Sequence, residues 1–501
     1  MDYGLIHVDY ILNGIFKINK HNDETKLIEL LALGSKGINI MEKLSQLKSG
    51  ILLAVISSIG LTACNDGSDS AATVIEQTKA PLTDCMWQDS ASSQDGTGGE
   101  NPMNYAFPDS NVTYWSSEFT VPEGAKILIE GDYPYARYTS LVSYTSQGER
   151  VNSLLDADIK PNSGSINPFV VGNNRLSKDR GYTAELVLGD LPTVPKENTL
   201  YAPKNDTNEV ALLYRIYAPN KGFNPKAGVS FPRFKVQLAN GETKTGSEVC
   251  NVLKVKKKSL DKILSIPIEQ SLALYDKQPY EGFPAQKIPK WYTAYNGRAN
   301  IQCIYKYGLD QCEGFETERK LNQWATPDNE YVFSVISRKL GKVLVLKGKL
   351  PQIAHTANNE PTLAQGDLRY LSICTNELIS TATNFCVYDE QMKHKDKDGN
   401  YTVVVSLPED RPTNAKEECG ITYLPLSERG DGYTGPDAEE KGHTDLGFLI
   451  MRNLLPYPHF NQAIQNTQVW GDEETVMADY LPSISYTSKE DVEALGCTPQ
   501  I

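Results

Sequence analysis

The chain has 501 residues, with 49 Lys+Arg against 63 Asp+Glu and a formal charge of -14. At 40% hydrophobic and 9% aromatic it is too apolar for a disordered chain and long enough for two cores, since domains commonly hold roughly 100–200 residues. The acidic balance argues against nucleic acid as a partner, because phosphates demand a basic footprint, and a single apolar run near the N-terminus excludes a multi-span membrane protein.

Residues 1–40 look like no targeting segment. Translation is expected to begin at Met41, with an unusually long N-terminal extension as the alternative. Residues 41–63 read as a signal peptide. Lys43 and Lys48 form a short basic region, and Ile51 to Leu61 form an apolar core too short for a normal span. The run ends at Leu61-Thr62-Ala63-Cys64, which resembles the bacterial lipobox. The resemblance implies cleavage before Cys64 and lipid attachment to its thiol. The competing reading is a buried helix with an incidental cysteine. Residues 64–100, beginning Cys-Asn-Asp-Gly-Ser, are small and polar, as a tether should be. A diacylglycerol plus an amide-linked acyl chain exceeds the two-chain requirement for stable anchoring, so the membrane is an expected partner. Asn65, where Asp would retain such a protein at the inner membrane, favours the outer membrane. The expected location is the bacterial cell envelope, facing periplasm or surface.

Beyond Cys64 eight cysteines remain: Cys85, Cys250, Cys303, Cys312, Cys374, Cys386, Cys419 and Cys497. An even set in an exported chain reads as disulfides. Proximity pairs Cys303 with Cys312 and Cys374 with Cys386. Cys85–Cys250 then closes a first module and Cys419–Cys497 a second. A metal site would need CxxC or CxxH spacing, which is missing, so no metal or cofactor is expected.

The remainder carries an internal repeat. NYAFPDSNVTYWSSEF near Asn104 parallels QWATPDNEYVFSVIS near Gln323, setting Asp109 on Asp328. In the same order, Gly131 falls on Gly348, Arg137-Tyr138 on Arg369-Tyr370, and Tyr182 on Tyr401. Asp190 then falls on Asp410, NTLYAP on GITYLP, and Arg215 on Arg452. The blocks are short, β-branched or aromatic, and bounded by Gly, Pro, Asn and Asp, as strands are. The fold class is therefore mainly β: two tandem antiparallel sandwich or jelly-roll modules, residues 101–250 and 321–501. The connector, 251–320, is partly helical around LDKILSIPIEQSLALYD.

Ser140-Leu141 and Tyr144, Tyr182 to Leu188, Pro192, Asn198 to Pro203 and Leu213 to Pro219 together resemble the bacterial domain of unknown function 1214. The resemblance implies a jelly-roll-type sandwich and no settled activity, and fold analogy alone does not give function.

The foremost binding candidates are Arg137, Arg215, Arg369 and Arg452, with Tyr138 and Tyr370 beside two of them. A guanidinium within an apolar strand must find a partner. It either forks onto a bound carboxylate or phosphate, or pairs with an aspartate of the chain such as Asp190 or Asp410, or caps backbone carbonyls. Asp156 and Asp158 open a loop running to Phe169 that lacks a clear counterpart in the second copy. They read as an acid and base, as Ca²⁺ ligands, or as a solvated turn. The run from His394 to Asn400 fails as a calcium loop and fits a β-hairpin turn better. Trp291, Tyr292, Tyr295, Tyr305 and Tyr307 either stack on a sugar or plug a junction between modules. Catalytic residues are not identified: His443 with Asp445 is the nearest approach to a base and its orienter, and it lacks a nucleophile. The first functional reading is a non-catalytic envelope protein binding a ligand or partner protein. The second is a carbohydrate or ester hydrolase with an inter-module site and two facing carboxyls. A structural spacer is the third.

Overall fold

The computed structural model describes residues 85–89, 104–256, 280–309, 312, 319, 324–392, 397–435 and 442–497. Residues 1–40, the signal-peptide segment, Cys64, most of the tether, His394 and the expected helix of the connector lie outside them. Residues 80–501 form one compact unit.

The first copy supplies strands β1 (Gln88–Asp89), β2 (Val112–Thr120), β3 (Lys126–Asp132), β4 (Ala136–Tyr144) and β5 (Arg150–Leu155). It continues with β6 (Gly181–Leu188), β7 (Thr199–Ala202), β8 (Glu209–Pro219), β9 (Arg233–Gln237) and β10 (Thr243–Lys244). The second copy supplies β11 (Tyr292–Thr293), β12 (Asn329–Ser337), β13 (Val343–Lys349), β14 (Leu368–Asn376) and β15 (Thr383–Tyr388). It ends with β16 (Asn400–Ser406), β17 (Thr422–Pro425), β18 (Leu446–Pro456) and β19 (Ser483–Thr487). The sheets run β1-β2-β8-β4-β5 and β10-β9-β3-β6-β7, then β11-β12-β18-β14-β15 and β17-β16-β13-β19. Every strand from β1 to β9 thus has a counterpart ten places later in the same sheet position, so the repeat is a repeat of topology. The protein is mainly β and consists of two sandwich-like modules.

The repeat reaches beyond the matched blocks. Trp87 donates its indole N–H to the Pro232 carbonyl at 2.8 Å, and Trp291 does the same to Pro482 at 2.7 Å. Trp291 and β11 therefore open the second copy from within the expected connector. Gly131 lies opposite Tyr182 and Gly348 opposite Tyr401, and in each case an added Cβ would meet the tyrosine hydroxyl. One expectation is corrected: β7 and β17 pair parallel to β6 and β16, so the modules are not purely antiparallel.

Residue alternation explains how the modules meet. In β8, Val210, Leu212, Tyr214 and Ile216 fill the first core, while Ala211, Leu213, Arg215 and Tyr217 face the other way. In β18, Leu449 and Met451 fill the second core, and Phe448, Ile450, Arg452 and Leu454 face away. All nine residues of β4 and all nine of β14 are buried. A strand buried on both faces needs a second surface to cover it, and each module covers the other. Tyr138 and Tyr217 of one copy pack with Tyr370 and Leu454 of the other.

All four expected disulfides are present: Cys85–Cys250, Cys303–Cys312, Cys374–Cys386 and Cys419–Cys497. Cys374 and Cys386 are cross-strand neighbours on β14 and β15.

Candidate functional site

The four candidate arginines converge on the face between the modules, where each donates to protein groups, although Arg215 Nη1 and Arg369 Nε have no partner among the described residues. Arg137 Nη1 donates to Asp389 at 3.0 Å and to the Arg369 carbonyl at 3.1 Å; Nη2 pairs with Glu390, and Nε donates to Thr356. Arg369 in turn donates to Asp156 and to the Arg137 carbonyl, both at 3.4 Å. Asp156 accepts the backbone N–H of Thr139 in its own module, and Asp389 accepts that of Leu371 in its own. Each module thus holds an aspartate at the end of its fifth strand and offers it to the other's arginine. Arg215 donates to the carbonyl of Trp324, and Arg452 to that of Phe107. Tyr138 donates to Asp328, and Tyr370 to Asp109 at 3.0 Å. Contacts that recur with the copies exchanged are the mark of an isologous two-fold interface, here within one chain.

Two expectations are corrected. The arginines do not pair with Asp190, which is exposed, or with Asp410, which lies 3.5 Å from Lys342. The Asp156 position does have a counterpart in the second copy, Asp389. Sequence reasoning passed over Asp389, Glu390 and Thr356. The signal available was an aspartate closing the fifth strand of each copy.

The electrostatics fit a structural role. Burial pushes the Asp156 carboxyl up to about 6, against the opposing pull of Arg369. Burial also raises Asp389, partly offset by Arg137. Glu390 is lowered: burial is outweighed by Arg137 and by the backbone N–H groups of Thr356 and Ala357. Arg137 and Arg369 turn their forks to carboxylates and carbonyls of the chain itself. At this face Tyr138 and Tyr370 each supply apolar area and a hydrogen bond to a facing aspartate.

The other candidates disperse. Asp158 is exposed while Asp156 is buried, so they do not share a catalytic or calcium site. Trp291 is buried in the core of the second module, and Tyr292 and Tyr295 are buried with Phe333, Phe448 and Trp470, whereas Tyr307 is exposed and the Tyr305 side chain is not among those described. The Asp398-Gly399 turn leads from one sheet to another and does not close a hairpin. His443 lies 3.8 Å from Asp445, but the Ser337 hydroxyl donates to the same aspartate, not to the histidine. Asp109, Cys374 and Cys386 lie close enough to hold a metal, yet both sulfurs are consumed in a disulfide.

What the interface leaves open is beside it. Where the second copy passes quickly from Asp389 to β16, the first inserts a long loop, residues 156–180. Where the first passes quickly from β3 to β4, the second inserts residues 350–367. The two insertions meet: Gly172 N–H donates to the Leu363 carbonyl at 3.0 Å and Arg175 N–H to Pro361 at 2.8 Å. The first insertion walls an open pocket of about 390 Å³. Ala157, Ile159, Pro161, Ile166 and Val170 give its apolar surface. Lys160, Ser165, Asn167, Asn173 and Asn174 give its polar groups. The loop is built from within. Asn167 donates to the carbonyls of Asp156 and Ile159 and accepts the N–H of Phe169, while Asn173 donates to the Asn167 carbonyl.

No family model matches this chain, and no curated protein matches it. Among solved structures it is similar to an uncharacterised protein from Burkholderia cenocepacia, at 11% identity, 77% of this chain, 79% of that chain and a TM-score of 0.38. It is also similar to the VPA0106 protein from Vibrio parahaemolyticus, at 14% identity, 76% of this chain, 90% of that chain and a TM-score of 0.35.

Proposed function

We propose that the chain is an exported, lipid-anchored protein of the bacterial cell envelope whose two-module body binds a ligand at the pocket of the 156–180 loop. The observation that carries the binding role is the content of that pocket. It joins apolar walls to amides, a hydroxyl and one amine, and among the described residues its lining holds no carboxylate. A glycosidase-type hydrolase needs two carboxyls facing one cleft at roughly 5–10 Å. The adjacent carboxylates Asp389 and Glu390 are instead committed to Arg137 in the buried interface. Export is supported by four disulfides, which persist in oxidising compartments, together with the lipobox-like run ending at Cys64. Labelled palmitate should enter the wild type and fractionate with the envelope, and Cys64→Ala should abolish both. An unlabelled wild type would remove the anchoring claim.

A further inference from the structure

We infer that the pocket of the 156–180 loop selects a small aliphatic carboxylate. This deepens the binding role proposed above and rests on it.

The hydrogen-bonding valences of the pocket are uneven. Asn167 has both amide atoms occupied by the loop itself. Ser165 already accepts the Gly181 N–H at 3.1 Å, so its hydroxyl proton is left to give. Asn174 uses its oxygen on the Leu176 N–H at 2.9 Å, which leaves its amide nitrogen to donate. Lys160 is exposed at the rim and brings an ammonium group. Beside these three donors stands the Asn173 oxygen, whose amide nitrogen is used on the loop. A site with several donors, one of them cationic, suits an acceptor-rich anionic group, and charge-assisted bonds are the stronger kind. Asp158 and Asp179 flank the loop but do not line the pocket.

The rest of the pocket wants an apolar body. Ile166 is 37% and Val170 40% exposed, and Val171 and Leu176 on the same loop are 42% exposed each. Ile166 and Val170, both in the lining, leave apolar surface wet that a hydrocarbon would cover. Among the described residues the lining offers no aromatic face on which a sugar ring or a planar heterocycle would stack. The volume of about 390 Å³ falls in the range of small-molecule sites, roughly 300–1,000 Å³. An acid with a medium-length alkyl chain has that size and that polarity.

The test titrates sodium octanoate, octan-1-ol and octyltrimethylammonium separately into the full-length protein by calorimetry. Octanoate should bind to saturation, the alcohol at least about tenfold more weakly, and the ammonium not at all. Lys160→Gln should weaken octanoate by about tenfold or more with an unchanged melting temperature, because Lys160 is exposed. Val170→Asn should weaken octanoate and octanol alike, because it removes apolar contact without adding charge. Equal affinity for octanoate and octanol, or indifference to Lys160→Gln, overturns the carboxylate claim while the pocket still binds. Absence of binding by all three probes overturns the binding role of the pocket itself.

Discussion

Removing one member of an exchanged ion pair should cost far more than its geometry alone implies. Arg369 is 5% exposed and touches Asp156, the Arg137 carbonyl and the Phe169 carbonyl, while Asp156 is fully buried. Arg369→Met leaves a buried carboxylate with only backbone partners, and breaking such a pair costs about 3–5 kcal/mol. Asp156→Asn leaves a buried guanidinium that keeps its two carbonyls, so its cost should be smaller, about 2 kcal/mol. The double variant removes both charges together and should cost about 2–3 kcal/mol, well short of the sum. The pH dependence supplies a second signature. The Asp156 carboxyl already sits near 6 in the fold, against an ordinary aspartate value of 3.8, and losing Arg369 raises it further. A folded value above the unfolded one means the native state holds an extra proton between them, so stability falls as pH rises through that window. Arg369→Met should therefore lose less at pH 5 than at pH 7, where the buried carboxyl is under more pressure to ionise. Urea unfolding followed by tryptophan fluorescence, disulfides intact, measures all four corners of the cycle. Additivity within about 0.5 kcal/mol would refute the exchange as an energetic unit.

Other consequences follow from particular groups. Asp445 is held down at about 2: burial would raise it, but hydrogen bonds from His443 and Ser337 and the charge of Lys339 outweigh that. A folded value below the ordinary 3.8 stabilises the protein above about pH 4 and is lost as pH falls toward 2, so Asp445→Asn should remove about 2 kcal/mol at neutral pH and little at pH 2 in paired melts. The Cys85–Cys250 bridge closes a separation of 165 residues, and chain entropy assigns such a loop about 5 kcal/mol, so the double alanine variant should show a lower urea midpoint by up to that amount. Gly131→Ala would drive a Cβ to 2.6 Å from Tyr182 Cζ, an overpacking of about 1–3 kcal/mol, and Gly348→Ala should behave alike against Tyr401; a neutral result at both would contradict the equivalence.

How far the molecule was readable from its residues differs between strands and partners. The strand-like blocks and both modules are legible from turn residues between the blocks, and the cysteine pairs from spacing, but the order of strands within each sheet is not. Two-residue β1 and β11 left no periodic signal, so Trp87 and Trp291 went unmatched although each closes the same indole-to-carbonyl contact. The arginines read as charges that need a partner, and the carbonyl caps of Arg215 and Arg452 fit that reading, but the aspartates the repeat suggests, Asp190 and Asp410, are not the ones used. The actual partners come from the opposite copy, across a two-fold relation that sequence order does not display. Asp389 was hidden for a related reason: the insertion after Asp156 and the short passage after Asp389 differ in length, so the two aspartates sit in segments that do not align. The pocket was foreseen only as a loop without a counterpart, because its free donors depend on which amide atoms the loop spends on itself.

The most direct measurement is differential scanning calorimetry of the oxidised protein, wild type and Arg369→Met, with hydrogen exchange read separately in β8 and β18. The reciprocal exchange predicts a single transition with matching calorimetric and van't Hoff enthalpies, and a loss of protection in both strands when only the second copy's arginine is replaced. Two separable transitions in the wild type, or a loss confined to β18, would mean that the modules fold and hold independently and that the exchanged charges do not unite them.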